Sequence, residues 1–359
     1  MKTNKSLWLF ILLLVPQWFF LCSKAQEQKL QSYTQYDFVP GDEILFYDDF
    51  SQDAIGDFPA LWTTNGSGEV KTLNIAPGKW FHLNGDDAVY SIIEPIPFPD
   101  NFIVEFDLIV DDEFVELELT LYEGDEDIEM NPYLYPGLRG LQIWPCSEDG
   151  GAWRTKGFDE ENWFEGSSEK NPILSGELNH VIIWIQNRRV RIYHRGEKVL
   201  DGPTTIVKGT KFNRLRFCCW DSESKPFLSN LQISTAAPDT RSKLITEGKL
   251  ISYGIYFDSG KDVVKPESYG ALKDIANVLK ENPGVRVKIV GHTDSDGDEA
   301  MNLELSKRRT ESVKNELIKT FNADAASLDT DGAGESQSLA PNTSAEGKAK
   351  NRRVEFIKL

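Results

Sequence analysis

The stretch Gly291–Arg309, GHTDSDGDEAMNLELSKRR, holds an acid and a base at fixed points. Asp294 lies just past an apolar run (Val285, Val287, Ile289, Val290), and Arg309 follows fifteen positions later inside a helical pattern. Opposite charges on a rigid frame suit a ligand that carries both charges itself, such as a zwitterionic amino-acid head group. Arg can grip a carboxylate with two parallel N–H groups. The same two side chains could instead form a structural ion pair, because ion-pair networks also cluster. Residue types alone leave the two readings equally open.

Other chemistries fit less well. Read as a calcium loop from Asp294, positions six and twelve hold Glu299 and Leu305, where an EF-hand needs Gly and Glu. His292 has no base, nucleophile or third group around it in sequence, as a catalytic triad requires. It reads as a hydrogen-bonding residue at a strand end. Past residue 25 the cysteines are Cys146, Cys218 and Cys219, a set that does not make a zinc site. Cys218 and Cys219 are neighbours in a strand pattern and face opposite ways, so at most one pairs with Cys146. The acid cluster Asp111-Asp112-Glu113 has no diagnostic calcium spacing. No metal, cofactor or catalytic residue is expected.

The elements that must position Asp294 and Arg309 follow from periodicity. Ile251–Asp258 reads as a strand. Pro266 opens a helix with an apolar stripe of Leu272, Ile275, Ala276 and Leu279, ended by Asn282-Pro-Gly. Arg286–Gly291 reads as a buried strand. A second helix runs from about Met301 to Phe321 with Leu305, Val313, Leu317 and Phe321 inward. Leu328–Gly334 and Arg352–Lys358 read as further strands. The order βαβαββ predicts an α+β domain, a mixed sheet covered by helices. A helix starting near Met301 carries Arg309 about 12 Å along its axis. The Ser295–Glu299 loop must then fold back, and Gly297 permits the turn.

The preceding region, 42–235, is a succession of short strands split by Gly, Asn, Asp and Pro. In Phe102–Val110, Ile103, Glu105 and Asp107 alternate with Val104, Phe106 and Leu108. Val115–Leu121 alternates likewise. Helical periodicity is nearly absent, which predicts an all-β sandwich of jelly-roll type. Asp125–Glu129 and Glu116/Glu118 have the alternate spacing of a glycosidase carboxylate pair, but the patterning favours a solvated acidic face. Trp153, Trp163 and Phe164 could stack on sugar rings or cover the sandwich edge.

The 359 residues carry a formal charge of −18, which argues against nucleic acid as a partner. The imbalance sits in the middle: residues 26–248 hold 19 basic against 39 acidic residues, whereas residues from Lys249 onward hold 17 against 18. Two regions of different balance point to two domains. Residues 1–25, with Lys2 and Lys5, an apolar core from Leu7 to Val15 and a small-residue end at Ala25, read as a secretory signal. The expected organisation is signal 1–25, N-terminal segment 26–41, sandwich 42–235, linker 236–248 and α+β domain 249–359. No transmembrane segment is expected in the mature chain.

In the last domain, Phe257-Asp258, Pro266, Gly291-His-Thr-Asp294, Gly297, Asn302, Leu305-Ser306, Arg309 and Asn351-Arg-Arg-Val-Glu355 resemble the C-terminal domain of the OmpA-like family. The resemblance implies non-covalent binding of peptidoglycan through the diaminopimelate of its stem peptide. Asp294 would take the ammonium and Arg309 the carboxylate. Asp258, Thr293, Asn302 and Arg353 would line or brace the pocket. Ser259 and Thr310 depart from the family's usual residues, and neither removes a charge. The sandwich resembles concanavalin/laminin-G-like domains, through Asn179–Val199 and Phe227–Ser234. Together the resemblances imply a periplasmic protein associated with the wall and outer membrane of a Gram-negative bacterium. Its sandwich would meet a glycan or an envelope protein; an adaptor in a larger envelope complex and a sandwich-borne glycan hydrolase are the alternatives.

Overall fold

The computed structural model describes residues 40–111, 117–125, 127–145, 153–219, 225–236 and 242–359. The expected signal, nearly all of the N-terminal segment, Asp112, Glu113, Glu116, Glu126 and Cys146 lie outside the described residues.

The first half is all β. Its strands are β1 (Pro40–Asp48), β2 (Trp62–Thr64), β3 (Glu69–Lys71), β4 (Trp80–His82), β5 (Ala88–Ile92), β6 (Asn101–Ile109), β7 (Leu117–Tyr122) and β8 (Gly140–Trp144). They continue as β9 (Trp153–Phe158), β10 (Trp163–Ser168), β11 (Asn179–Gln186), β12 (Arg189–His194), β13 (Glu197–Gly202), β14 (Arg214–Cys219) and β15 (Phe227–Ala236). One antiparallel sheet has the order β13-β12-β11-β6-β15-β4-β3, with β1 also on β15; the other runs β10-β9-β8-β7-β14-β5-β2. Period-two alternation makes this fold. Phe102, Val104, Phe106 and Leu108 of β6 enter the core with Leu117, Leu119 and Leu121 of β7 and Val181, Ile183 and Ile185 of β11. Cys219 joins that core while Cys218 faces the other side of the sheet; both thiols are free and buried.

Two sequence expectations change here. Trp153 is fully buried in the core, its indole N–H donating to the Lys170 and Asn171 carbonyls (3.0 and 3.2 Å), so it is no surface aromatic. Glu118 does not belong to a solvated acidic face. It is fully buried and accepts hydrogen bonds from Gln142 Nε2 (3.0 Å) and the Thr120 hydroxyl. A sheet's second face need not be wet, and here the loop carrying Tyr133, Leu134 and Tyr135 lies over it. Arg216, also fully buried, ties that loop down by donating to the carbonyls of Glu129 (2.9 Å), Asn131 (3.2 Å) and Leu134 (2.9 Å).

The second half is α+β. It comprises β16 (Lys249–Ser252), α1 (Tyr269–Glu281), β17 (Val287–His292), α2 (Glu299–Lys319), β18 (Leu328–Gly334), α3 (Ala345–Asn351) and β19 (Val354–Lys358). The sheet order is β16-β19-β17-β18; β17 and β18 are parallel and the other pairs antiparallel. In α1, Leu272, Ile275, Ala276 and Leu279 are buried on one stripe, each large side chain contributing about 1.5–3 kcal/mol. Asn282 ends the helix, its side chain donating to the Val278 carbonyl at 2.7 Å. The observed order is βαβαβαβ, not βαβαββ. The helix that periodicity misses, α3, is seven residues long with a central glycine, too short to carry a stripe. Its Ser344 cap accepts from Gly347 N at 3.0 Å. Residues 253–258 do not continue the first strand; there Phe257 only bridges Val264.

Helix α2 packs on the sheet through small polar residues. Ser306 and Thr310 are fully buried, whereas Leu305, expected inward, is half-buried. The reason is close approach: a Cβ at Gly332 would meet Ser306 Oγ at 2.5 Å, and one at Gly291 would meet the Ser306 carbonyl oxygen at 2.7 Å. Thr310 satisfies itself by donating to the Lys307 carbonyl at 2.8 Å.

The two halves share buried surface. Ile44 and Tyr47 of β1 cluster with Tyr253, Ala345 and Ala349, and Ile103, Ile182, Trp184, Tyr193 and Ala236 take in Tyr256. The charged edge of β6 lies in the same seam. Tyr256 Oη donates to Glu105 Oε2 (2.7 Å), and Asp107 pairs with His180 Nδ1 (2.7 Å) and accepts from Asn230 Nδ2 (2.7 Å).

Candidate functional site

At the end of β17, Thr293 N donates to the Gly334 carbonyl (2.9 Å) and the chain turns into the Asp294–Asp298 loop. Gly297, at φ +98°, makes the reversal possible. Asp298 then caps α2 by accepting from Met301 N at 3.0 Å. Asn302, one turn in, staples the loop: its Nδ2 donates to the carbonyls of Asp294 (3.2 Å) and Asp296 (3.0 Å) and to Glu335 Oε2 (2.7 Å). Lys348 holds the Asp296 carboxylate at 2.7 Å. Asp294 is thus fixed by its neighbours on both sides, with 13% of its side chain exposed.

Arg309 projects from the same helix toward the 257–261 loop. Its Nε donates to the Lys261 carbonyl (2.9 Å) and its Nη2 to the Asp258 carbonyl (3.3 Å), while its guanidinium lies over the Phe257 ring at 4.8 Å. Burial holds the Arg309 guanidinium below its ordinary pKa; the Asp294 charge pulls the other way and the Arg352 charge adds to the fall. The Asp294 and Arg352 charges are thus both felt at Arg309. Arg352 pairs with the acid: its Nη1 donates to Asp294 Oδ2 at 2.7 Å, and its guanidinium lies 5.3 Å from the centroid of the Tyr47 ring.

The remaining expected residues divide. The Asp258 carboxylate sits at the rim, paired with Lys261 (2.9 Å) and Lys265 (3.8 Å); the hydrogen bond from Lys261 holds its pKa below the usual carboxylate range. Asn302 is a brace. Thr293 is buried at the strand end, its hydroxyl without a hydrogen-bond partner among the described residues. Arg353 does not line the site. It is buried and bound to Glu355 Oε1 (Nε, 2.8 Å) and to the carbonyls of Asn351 and Gln337. Glu355 also meets Lys249 at 2.8 Å and His292 at 3.6 Å. Burial opposes its ionisation, but the nearby His292, Lys249 and Arg353 outweigh burial and hold its pKa far below normal.

Sequence reasoning named Arg353, to line or brace the pocket, and did not name Arg352. A usable signal was present: in an extended Arg-Arg-Val-Glu run, residues two apart share a side. Glu355 claims Arg353, and Arg352 is left to the opposite face.

The sandwich offers a concavity of about 220 Å³, lined by Glu118, Tyr133, Tyr135, Gln142, Trp144, Arg154, Lys156 and Glu165 among others. Trp163 stands at its edge with 47% exposure, 4.4 Å from the Tyr135 ring, and Lys156 lies 4.1 Å over Trp163. Among the described residues, Gln142 Oε1 and Arg154 Nε are buried without hydrogen-bond partners.

A mixed four-stranded sheet with helices against it, with Asp294 and Arg352 at its connecting loops and Arg309 on α2, defines an α+β domain built to hold charge. Residues 256–352 match the OmpA family, and this domain is an OmpA family domain. The chain is 44% identical over 102 residues to the probable lipoprotein YiaD of Escherichia coli (strain K12), covering 28% of this chain and 46% of that protein. It is 26% identical over 260 residues to outer membrane porin F of Pseudomonas aeruginosa, covering 67% of this chain and 71% of the porin. Among solved structures it is similar to the peptidoglycan-associated lipoprotein from Burkholderia pseudomallei, at 23% identity and a TM-score of 0.29, over 34% of this chain and 100% of that one. No helix among the described residues is long and apolar enough to cross a membrane.

Proposed function

We propose that this protein holds peptidoglycan without covalent chemistry, by gripping diaminopimelate in the stem peptide. The free end of diaminopimelate carries an ammonium and a carboxylate on one carbon. Asp294 receives the ammonium and Arg309 the carboxylate, while Arg352 orients Asp294 and Asn302 braces its loop. The observation that carries this reading is the partly exposed Asp294–Arg352 pair, at 2.7 Å, on the loop that leads into the helix bearing Arg309 in an OmpA family domain. The names of the relatives, an outer membrane porin and lipoproteins, fit a protein exported to the periplasm and kept at the wall beneath the outer membrane.

Sedimentation with purified sacculi tests it. The wild-type chain is expected to pellet and Arg309→Ala to stay in solution with a cooperative melt. Arg309→Lys, which keeps the charge but not the planar fork, should fall between them. Retention should weaken in high salt, since the contacts are charged and partly exposed. Equal pelleting of Arg309→Ala and wild type would remove the proposal.

The sandwich supports a second, separate reading: a module for a neutral saccharide. Its concavity is smaller than a drug-sized pocket and pairs aromatic faces with a polar floor. An unpartnered acceptor (Gln142 Oε1) and an unpartnered donor (Arg154 Nε) belong to that floor. A sugar hydroxyl both gives and accepts, so it can satisfy both. Retention on an array of neutral oligosaccharides, lost in Trp163→Ala, is the expected outcome. An array without any retained sugar would leave the sandwich as an adaptor surface for an envelope protein.

A further inference from the structure

We propose that the sandwich is a working part of the wall-binding site, with Tyr47 as its positioning residue. The inference rests on the reading of Asp294, Arg309 and Arg352 given above and extends it to a second domain.

Both cations of the site are braced by groups that rest on one face of the sandwich. Arg352 lies over the ring of Tyr47, a β1 residue that is 9% exposed. Tyr47 is itself held: its hydroxyl donates to Asn230 Oδ1 at 3.1 Å, and Asn230 donates to Asp107 Oδ2 at 2.7 Å. On the other side Arg309 grips the 257–261 loop through Phe257, Asp258 and Lys261. The residue entering that loop, Tyr256, is fastened to Glu105 of the sandwich at 2.7 Å. Glu105 and Asp107 share strand β6 and flank His180. The sandwich face therefore sets the placing of the Arg352 guanidinium from one end and of the Arg309 loop from the other.

The consequence for binding is specific. A carboxylate offers about four lone-pair directions. Asp294 uses one for Arg352 and one for Asp296 N at 3.2 Å, and the rest remain for an ammonium. A guanidinium stacked on an aromatic face keeps its plane and its direction; one without that face sweeps over many rotamers and loses its hold on Asp294.

The test uses the full chain and free meso-diaminopimelate in titration calorimetry, below the melting transition of every variant. Tyr47→Phe keeps the ring and is expected to bind within about twofold of wild type. Tyr47→Leu keeps much of the volume but not the aromatic face, and is expected to bind about three- to tenfold more weakly. Arg352→Lys should weaken binding similarly, and adding Tyr47→Leu to it should cost nothing more, because the two changes break one contact. If Tyr47→Leu does not fold, the comparison moves to Arg352→Lys with and without Tyr47→Phe, where a further loss on adding Tyr47→Phe would count against the proposal. Wild-type affinity in Tyr47→Leu, with binding lost in Asp294→Ala, would overturn the role of the sandwich and leave the site standing. Wild-type affinity in Asp294→Ala would overturn both.

Discussion

Asp294→Ala is expected to abolish retention on sacculi and to weaken diaminopimelate binding more than any other single change. The carboxylate does two things at once. Its charge acts on both arginines, and it offsets their mutual repulsion, which is felt at Arg309. Without it an arriving ammonium meets two guanidinium groups and loses the carboxylate paired with Arg352. Truncating one partner of a close charge pair costs about 2–5 kcal/mol in binding, roughly 30-fold to several-thousand-fold in affinity. The fold should persist, because the Asp294 loop is held mainly by Asn302 and Lys348 rather than by the lost side chain. Calorimetry and a melting curve on the same sample separate the outcomes. Lost binding with an intact melt is expected. A collapsed melt would make the Asp294–Arg352 pair a structural ion pair instead.

His180→Ala should give the largest loss of stability. His180 sits between Asp107 (2.7 Å) and Glu105 (3.6 Å) in the seam between the halves. Burial pushes its pKa down, but the hydrogen bond to Asp107 and the charges of Asp107 and Glu105 outweigh burial and raise it from 6.5 to about 10. Removing the cation leaves two buried carboxylates uncompensated, at a cost of about 3–5 kcal/mol. The sign of the pH dependence follows. A raised folded-state value means the contribution of His180 is complete below pH 6.5 and is lost as pH climbs toward about 10. Asp107, whose pKa is lowered chiefly by its bond to His180 against the penalty of burial, contributes above its ordinary value of 3.8 and loses that contribution in acid. Urea midpoints from pH 4 to 10 should therefore fall on the alkaline side in wild type, and this fall should be absent in His180→Ala. Parallel profiles for the two proteins would show that His180 is not the group responsible.

The same strand marks how far the sequence could be read. Alternation in Asn101–Ile109 gives the strand and sends Phe102, Val104, Phe106 and Leu108 to the core, as found. It cannot tell that the opposite face is covered, because Glu105 and Asp107 look like solvated acids until a second domain is laid over them. Only 2% of Glu105 is exposed. Glu118 is hidden differently, beneath the sandwich's own loop carrying Tyr133, Leu134 and Tyr135. Long stripes such as α1 were legible; α2 was legible in extent and, at Val313 and Leu317, in facing, but near Arg309 its inner surface is Ser306 and Thr310 rather than Leu305. Asp294 and Arg309 stood out by charge type and spacing. Arg352 did not, because adjacent arginines are told apart only by strand register, and its ring partner is more than 300 residues away.

The packing of α3 on β1 has a temporal side. The last helix of the chain rests on Ile44 and Tyr47 of its first described strand. A chain cut before residue 345 would leave Ile44 and Tyr47 without their α3 cover and the site without Arg352. On the proposed reading, such partial products would diffuse away from the wall.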